Sequence, residues 1–177
     1  MARRRKTRSR RPAPAPLKKA EAGIVEIGAR GDGVAIIDDR KVFVPCSAPG
    51  DLARIAYRGE RGEIETLIEE SPHRAPPPCA HFGECGGCAL QHLTESFYRD
   101  WKRKLVTNAL AREGFGEEIV APLHACAPSS RRRAAFAARR TAAGLIFGFN
   151  ERASSHIVAI RECLVLAPKL AEALPRL

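Results

Sequence analysis

Cys79, Cys85 and Cys88 form a C-x5-C-x2-C run, with Gly86 and Gly87 filling the second gap. Three thiolates this close in sequence can converge on one inorganic centre if the backbone between them bends sharply. Gly86 and Gly87 should allow the bend, because a residue without Cβ reaches positive φ and tolerates close approach to a ligand. Pro76-Pro77-Pro78 stiffens the chain on the way in. A compact metal site usually takes four ligands, and this stretch supplies three. Cys46, Cys126 and Cys163 remain as sources of a fourth. Zinc and iron–sulfur clusters both accept such a set of soft sulfur donors.

The rest of the composition bounds what such a centre could serve. A chain of 177 residues makes one medium domain or two small ones. Six cysteines without a secretory signal point to metal ligands or redox groups in a reducing compartment, not to disulfides. No run approaches transmembrane length, so the expectation is a cytoplasmic monomer without a membrane span. The formal charge is +10, which invites a nucleic-acid partner. Its distribution is uneven. Residues 1–19 hold nine of the 30 Lys and Arg (Arg3, Arg4, Arg5, Lys6, Arg8, Arg10, Arg11, Lys18 and Lys19) and no acid, leaving the remainder near neutral. That segment reads as a disordered basic arm ending in the extended linker Pro12-Ala13-Pro14-Ala15-Pro16. It can hold phosphates non-specifically or simply solubilise the chain. The proline repeat argues against the amphipathic helix of an organelle transit peptide.

Residues 20–70 switch to short strands separated by turn signals. Strands are expected at Gly23–Ile27, Gly33–Asp38, Lys41–Pro45, Asp51–Tyr57 and Ile64–Glu69. In the fourth, Ala53, Ile55 and Tyr57 alternate with Arg54, Ala56 and Arg58, so one face is apolar. Five short strands in about 50 residues suggest a small closed barrel of the OB type, since closure removes sheet edges. Gly28, Gly31 and Gly33 lack the order and the following helix of a dinucleotide loop and read as a tight turn. Cys46, directly after the third strand, reads as packing or turn.

Residues 71–177 read as an α+β unit, cut short at its C-terminal end. A helix is expected from Thr94 to about Ala111, with Phe97, Trp101, Leu105 and Ala109 on one stripe and Thr94 as N-cap. Trp101 is expected as a core residue. Strands follow at Arg131–Arg140, Gly144–Asn150 and Ser155–Ile160, and a second helix from Pro168. Arg131, Arg132, Arg133, Arg139 and Arg140 gather near the ends of the first of these strands. They are a candidate RNA phosphate contact or a solvated edge strand protected by charge.

The run C-x5-C-G-G-C-x-x-Q-H, the helix after it, and Arg161-Glu162-Cys163-Leu164 resemble the RNA uracil-C5 methyltransferases. Within that family the resemblance is to the enzymes that make 5-methyluridine in 23S ribosomal RNA. Gly31-Asp32-Gly33-Val34-Ala35, Val42-Phe43-Val44-Pro45 and Pro49-Gly50-Asp51 match phrases of its RNA-binding TRAM barrel, and Ser71-Pro72-His73-Arg74 fits the lead-in to the cysteines. Gly148-Phe149-Asn150 and Ser155-His156-Ile157-Val158 resemble its central domain. The resemblance covers residues 20–177 and implies a [4Fe-4S] cluster held by Cys79, Cys85, Cys88 and Cys163. Four thiolates are the usual ligand set of that cluster. Zinc on the same sulfurs is the alternative, but zinc sites usually pair short C-x2-4-C units, and a single triplet plus a distant cysteine fits that pattern poorly. Radical-SAM methylthiotransferases also carry TRAM barrels, but with a C-x3-C-x2-C triplet and an open iron.

In that family a cysteine adds to uracil C6, C5 then attacks the methyl group of S-adenosylmethionine, and a carboxylate takes the C5 proton. Those groups belong to a C-terminal doubly wound α/β domain. No strand–Gly-rich-loop–helix unit and no nucleophile motif occur here, so that domain is expected to be absent and no catalytic residue is assigned. The expectation is therefore an RNA-recognition and iron–sulfur part that cannot methylate alone, with 23S rRNA as partner. A stand-alone RNA-binding iron–sulfur module is the alternative, and a ferredoxin-like electron carrier a weaker one.

Overall fold

The computed structural model describes residues 15–142 and 144–174. Arg3, Arg4, Arg5, Lys6, Arg8, Arg10, Arg11 and the linker as far as Pro14 lie outside the described residues.

Five strands build the first unit: β1 (Lys18–Ile27), β2 (Gly33–Ile37), β3 (Arg40–Val44), β4 (Leu52–Arg58) and β5 (Arg61–Glu69). They close into a barrel in the order β1-β2-β3-β5-β4, with β4 returning to β1. All pairings are antiparallel except that of β3 with β5, where Phe43 lies opposite Arg61. This is the five-stranded barrel that the strand spacing anticipates. Alternation drives its closure. Ile24, Ala35, Ile37, Val42, Val44, Ala53, Ile55 and Tyr57 all point inward and form one core. The interior is narrow: a Cβ at Gly62 would lie 2.7 Å from Ile55 Cγ2.

Two boundaries differ from expectation. Lys18 and Lys19, assigned above to the basic arm, belong to β1 and pair with Tyr57 and Ala56 of β4. Lys19 Nζ also reaches Glu65 at 2.6 Å. The N–H and C=O groups of β4 need partners along its whole length, and this extension of β1 supplies them. Likewise β5 begins at Arg61, so the turn shrinks to Gly59-Glu60, with Gly59 at φ +59°. Two-residue hairpins favour residues that reach positive φ.

Beyond Ser71 the chain runs through the cysteine loop into α1 (Glu95–Ala111), then into β6 (Ala137–Thr141), β7 (Gly144–Asn150) and β8 (Ile157–Ala159), and ends its described part in α2 (Pro168–Ala173). The three strands form an antiparallel sheet in the order β6-β7-β8. Val158, Ile160, Leu166 and Leu174 make its core, with Phe136, Phe147 and Phe149 packed against it.

The strand expected at Arg131–Arg140 is shorter and starts six residues later. Its first half pairs elsewhere: Arg131 N–H donates to Val165 O (2.9 Å), and Ala167 N–H donates to Arg131 O (2.9 Å). Phe136 meanwhile turns inward, with ring centroids 4.8 Å from those of Phe147 and Phe149. Burying that ring outweighs continuing a strand of arginines.

Helix α1 docks on one end of the barrel. Trp101 Nε1–H donates to Ile27 O at 3.0 Å, and Leu90, Phe97 and Trp101 surround Ile27, Ala48 and Leu93. The apolar stripe is only partly covered. Leu105 is half-buried, Ala109 is exposed, and Thr107 is the helix's buried residue. Thr94 occupies the N-cap position, but its side chain makes no capping hydrogen bond to the helix backbone among the described residues. Among the described residues no helix is long and apolar enough to cross a membrane.

Candidate metal centre

The cysteine loop is pinched at its base. Arg74 and Leu93 form an isolated antiparallel bridge, Ala75 N–H donates to His92 O (2.9 Å), and Thr94 N–H donates to His73 O (2.8 Å). That base is bolted to the barrel through the turn between β3 and β4. Asp51 Oδ1 accepts from Ser71 N–H (3.0 Å) and Arg74 Nε (2.8 Å). Its Oδ2 accepts from Ala48 N–H (2.6 Å) and Arg74 Nη2 (2.7 Å). Arg74 Nη2 donates as well to Cys46 O (3.1 Å), and His92 Nε2 meets Ser47 O at 3.0 Å.

Burial alone would push the Asp51 carboxyl upward. The Arg74 guanidinium and the N–H groups of Ala48 and Ser71 outweigh it and hold the pKa below the ordinary range. Burial also holds His92 below the usual imidazole value. Cys46 sits in this turn at φ +55°, apart from the other cysteines, and burial pushes its thiol up. The turn reading of Cys46 therefore stands.

Within the loop, Phe82 N–H donates to Cys79 O (3.1 Å) and Cys85 N–H to His81 O (2.9 Å), so the chain coils between the first two cysteines. The glycines act differently from expectation. Among the described residues Gly83, at φ +98°, is the loop glycine in the left-handed region; Gly86 and Gly87 are not. Gly86 is needed for close approach instead. Its N–H donates to Asn150 O (3.0 Å), and a Cβ there would lie 2.7 Å from that carbonyl oxygen. With the Cys85–Glu151 bridge, this clamps the loop to the end of β7.

The clamp brings the triplet to Cys163. Cys79, Cys85, Cys88 and Cys163 all line one narrow cavity of about 20 Å³, together with Phe149, Ile160 and Arg131. All four are half-buried, whereas Cys126 is exposed. Burial pushes the Cys85 thiol up, Gly87 N–H (3.4 Å from Sγ) pulls it down, and the sulfurs of Cys88, Cys163 and Cys79 push it up again. Among the described residues, however, no three His, Cys, Asp or Glu side chains are grouped so as to hold a single metal ion.

The five arginines are spread over the lead-in and β6. Arg131 stands at the cysteine cavity. Arg132 and Arg133 are exposed in the lead-in, and Arg139 and Arg140 are exposed on β6, the edge of its sheet. Successive residues of a strand face opposite sides, so even Arg139 and Arg140 diverge. Sequence reasoning also missed Arg152, whose Nη2 lies 2.7 Å from Asp32 Oδ1 and ties the β7–β8 turn to the barrel. An isolated arginine in a turn carries no signal of its distant partner.

Comparison with known proteins gives this architecture a family. No protein-family model matches the chain. An uncharacterized RNA methyltransferase of Brucella suis biovar 1 is 46% identical over 153 residues, which is 86% of this chain and 37% of that protein. One from Caulobacter vibrioides is 46% identical over 154 residues, 85% of this chain and 37% of that protein. The 23S rRNA (uracil(1939)-C(5))-methyltransferase RlmD of Marinomonas posidonica is 35% identical over 178 residues, 94% of this chain and 40% of that protein. The chain belongs to this RNA methyltransferase family. It spans 37–40% of the length of these relatives. The similarity therefore runs through both the barrel and the cysteine-bearing unit.

Proposed function

We propose that this chain is the RNA-recognition and iron–sulfur part of an S-adenosylmethionine-dependent RNA uracil-C5 methyltransferase, with 23S rRNA as the substrate. The observation that carries the reading is the meeting of Cys79, Cys85, Cys88 and Cys163 at one cavity beside a TRAM-like barrel. The name of the Marinomonas relative supports uracil C5 as the target.

The donor set fits a [4Fe-4S] cluster. On one zinc ion all four sulfurs would sit about 2.3 Å from a common centre, whereas in a cluster each cysteine binds a different iron. Four cysteine thiols lining one cavity are the donor set that such a cluster takes. Such a cluster, when bound, supplies a four-way covalent link between the loop and the segment after β8. The chain's own residues do the rest: Phe149 and Ile160 exclude water, and Arg131 beside the cavity offsets the negative charge of a thiolate-ligated centre.

Methyl transfer needs a cofactor cradle and a nucleophile, and none of the described elements supplies either. The 177 residues are therefore proposed to bind RNA without methylating it. The test is transfer of labelled methyl from S-adenosylmethionine to 23S RNA, by this chain and by a fusion to the remaining part of the Brucella suis relative. An inactive fusion that still carries its cluster would overturn the assignment. Activity of the 177-residue chain alone would overturn the division of labour.

A further inference from the structure

A cleft of about 1070 Å³ lies between the barrel and α1, away from the cysteine cavity. Its floor is the outer face of the sheet. One row crosses four strands, with Glu26 opposite Val34, Val34 opposite Phe43, and Phe43 opposite Arg61. Val42 and Val44 point into the core, so alternation turns the half-buried Phe43 ring outward into the cleft. Leu105 and Ala109 of α1 form the facing wall, which explains why their stripe is left uncovered.

The polar groups are placed round this apolar slot. Arg30, Arg61 and Arg112 line it from the β1–β2 turn, the start of β5 and the end of α1, and none belongs to an ion pair among the described residues. Asn108 adds an amide whose side chain makes no hydrogen bond among the described residues. Two of the three carboxylates present are already neutralised, Glu26 by Lys41 (3.2 Å) and Asp32 by Arg152 (2.7 Å). Glu60 is the third.

We infer that this cleft holds an unpaired nucleotide of a single RNA strand. The base stacks on Phe43, its edge faces the Asn108 amide, and the flanking phosphates lie toward Arg30, Arg61 and Arg112. In OB-type barrels the face of the second and third strands, with the first and last connecting turns, is where oligonucleotides lie. An aromatic ring flanked by guanidinium groups suits a single strand, whose bases offer free π-faces. A duplex hides those faces in its stack. This inference rests on the RNA reading above and locates its contact on the barrel–α1 side, not on β6.

The test uses the full chain with its cluster reconstituted, and fluorescence anisotropy with a labelled single-stranded oligoribonucleotide and the same strand annealed to its complement. The expected result is preference for the single strand. Phe43→Leu should weaken binding about tenfold, and Arg112→Ala should weaken it with a shallower salt dependence, by about 0.7 in the log–log slope. Lys169→Ala, on exposed α2, is the control and should bind as the wild type does. Phe43→Leu must keep its circular dichroism melt; Arg112 lies at an exposed helix end and keeps the test decisive if Phe43→Leu unfolds. RNA binding unchanged in both cleft variants, or duplex bound equally well, overturns the inference and leaves the RNA reading intact. A wild-type chain that binds no RNA overturns both.

Discussion

Arg74 holds both carboxylate oxygens of Asp51, with Nε 2.8 Å from Oδ1 and Nη2 2.7 Å from Oδ2. The Asp51 side chain is fully buried and that of Arg74 is 19% exposed. This pair joins the barrel to the base of the cysteine loop. Removing the cation leaves a buried carboxylate with only backbone donors, a change that costs about 3 to 5 kcal/mol in comparable settings. Arg74→Ala should therefore lower the unfolding midpoint strongly, read by fluorescence of Trp101, the single tryptophan. Arg54→Ala, which breaks the exposed pair with Glu21, should move the midpoint little, because solvent screens that pair. Equal losses would show that the buried bridge is not what holds the units together.

Acid should weaken this junction in two steps. His92 has a folded pKa below its ordinary 6.5, so the unfolded chain binds a proton first and stability falls as pH drops below about 6.5. Its Nδ1 is buried without a partner among the described residues, so protonation there places a new charge near Arg74. Asp51 also has a lowered pKa, so its contribution is intact above the ordinary 3.8 and is lost as pH falls through the folded value. Denaturant midpoints measured from pH 8 to pH 3 should decline in that order, and His92→Gln should remove the first decline only. A midpoint that rises between pH 7 and pH 5.5 would contradict the assignment.

Cys163→Ala and Cys126→Ala should behave differently, although both remove one thiol. The first lines the cavity with the triplet, and the second is exposed elsewhere. Anaerobic preparations of Cys163→Ala should lose brown colour and most iron and sulfide, and should become protease-sensitive between residues 89 and 162. A centre joining Cys163 to the triplet closes a loop of roughly 80 residues, worth on the order of 4 kcal/mol by the cross-link estimate. Cys126→Ala should keep its iron. Equal cluster content in the two variants would place the fourth ligand elsewhere.

Alanine at Gly86 and at Gly83 should separate close approach from backbone strain. At Gly86 the new Cβ meets Asn150 O at 2.7 Å, and neither backbone can yield without opening the loop. Iron content should drop sharply. At Gly83 the new Cβ meets nothing within 4 Å among the described residues, and the left-handed φ of +98° resists, at about 1–2 kcal/mol. Gly83→Ala should thus keep its iron and lose a few degrees of melting temperature. The reverse ranking would restore the view that Gly86 serves as a bend.

The barrel was largely legible in the chain itself. Inward residues such as Ala53, Ile55 and Tyr57 alternate with outward ones at a period of two, and that local signal is enough to mark a half-buried strand. The cysteine triplet was legible for a similar reason, because its three thiols lie within ten residues. Boundaries were less so. Nothing local says that Lys18 and Lys19 pair with β4, or that Arg131 pairs with the segment after Cys163, because each depends on which edge is open in the finished fold.

Which groups meet was decided by the tertiary structure. The sequence determined, through periodicity and spacing, that a small closed barrel precedes a thiolate-rich loop, a helix and a short antiparallel sheet. It could not state that Asp51 would be buried against Arg74, that Gly86 would touch Asn150, or that Phe43 would face Leu105 across a cleft. Each of those pairs is separated by tens of residues, and their contact follows from docking one element on another. Periodicity is a property of neighbours along the chain, whereas a buried ion pair, a clamp or a cleft exists only between surfaces that folding has brought together.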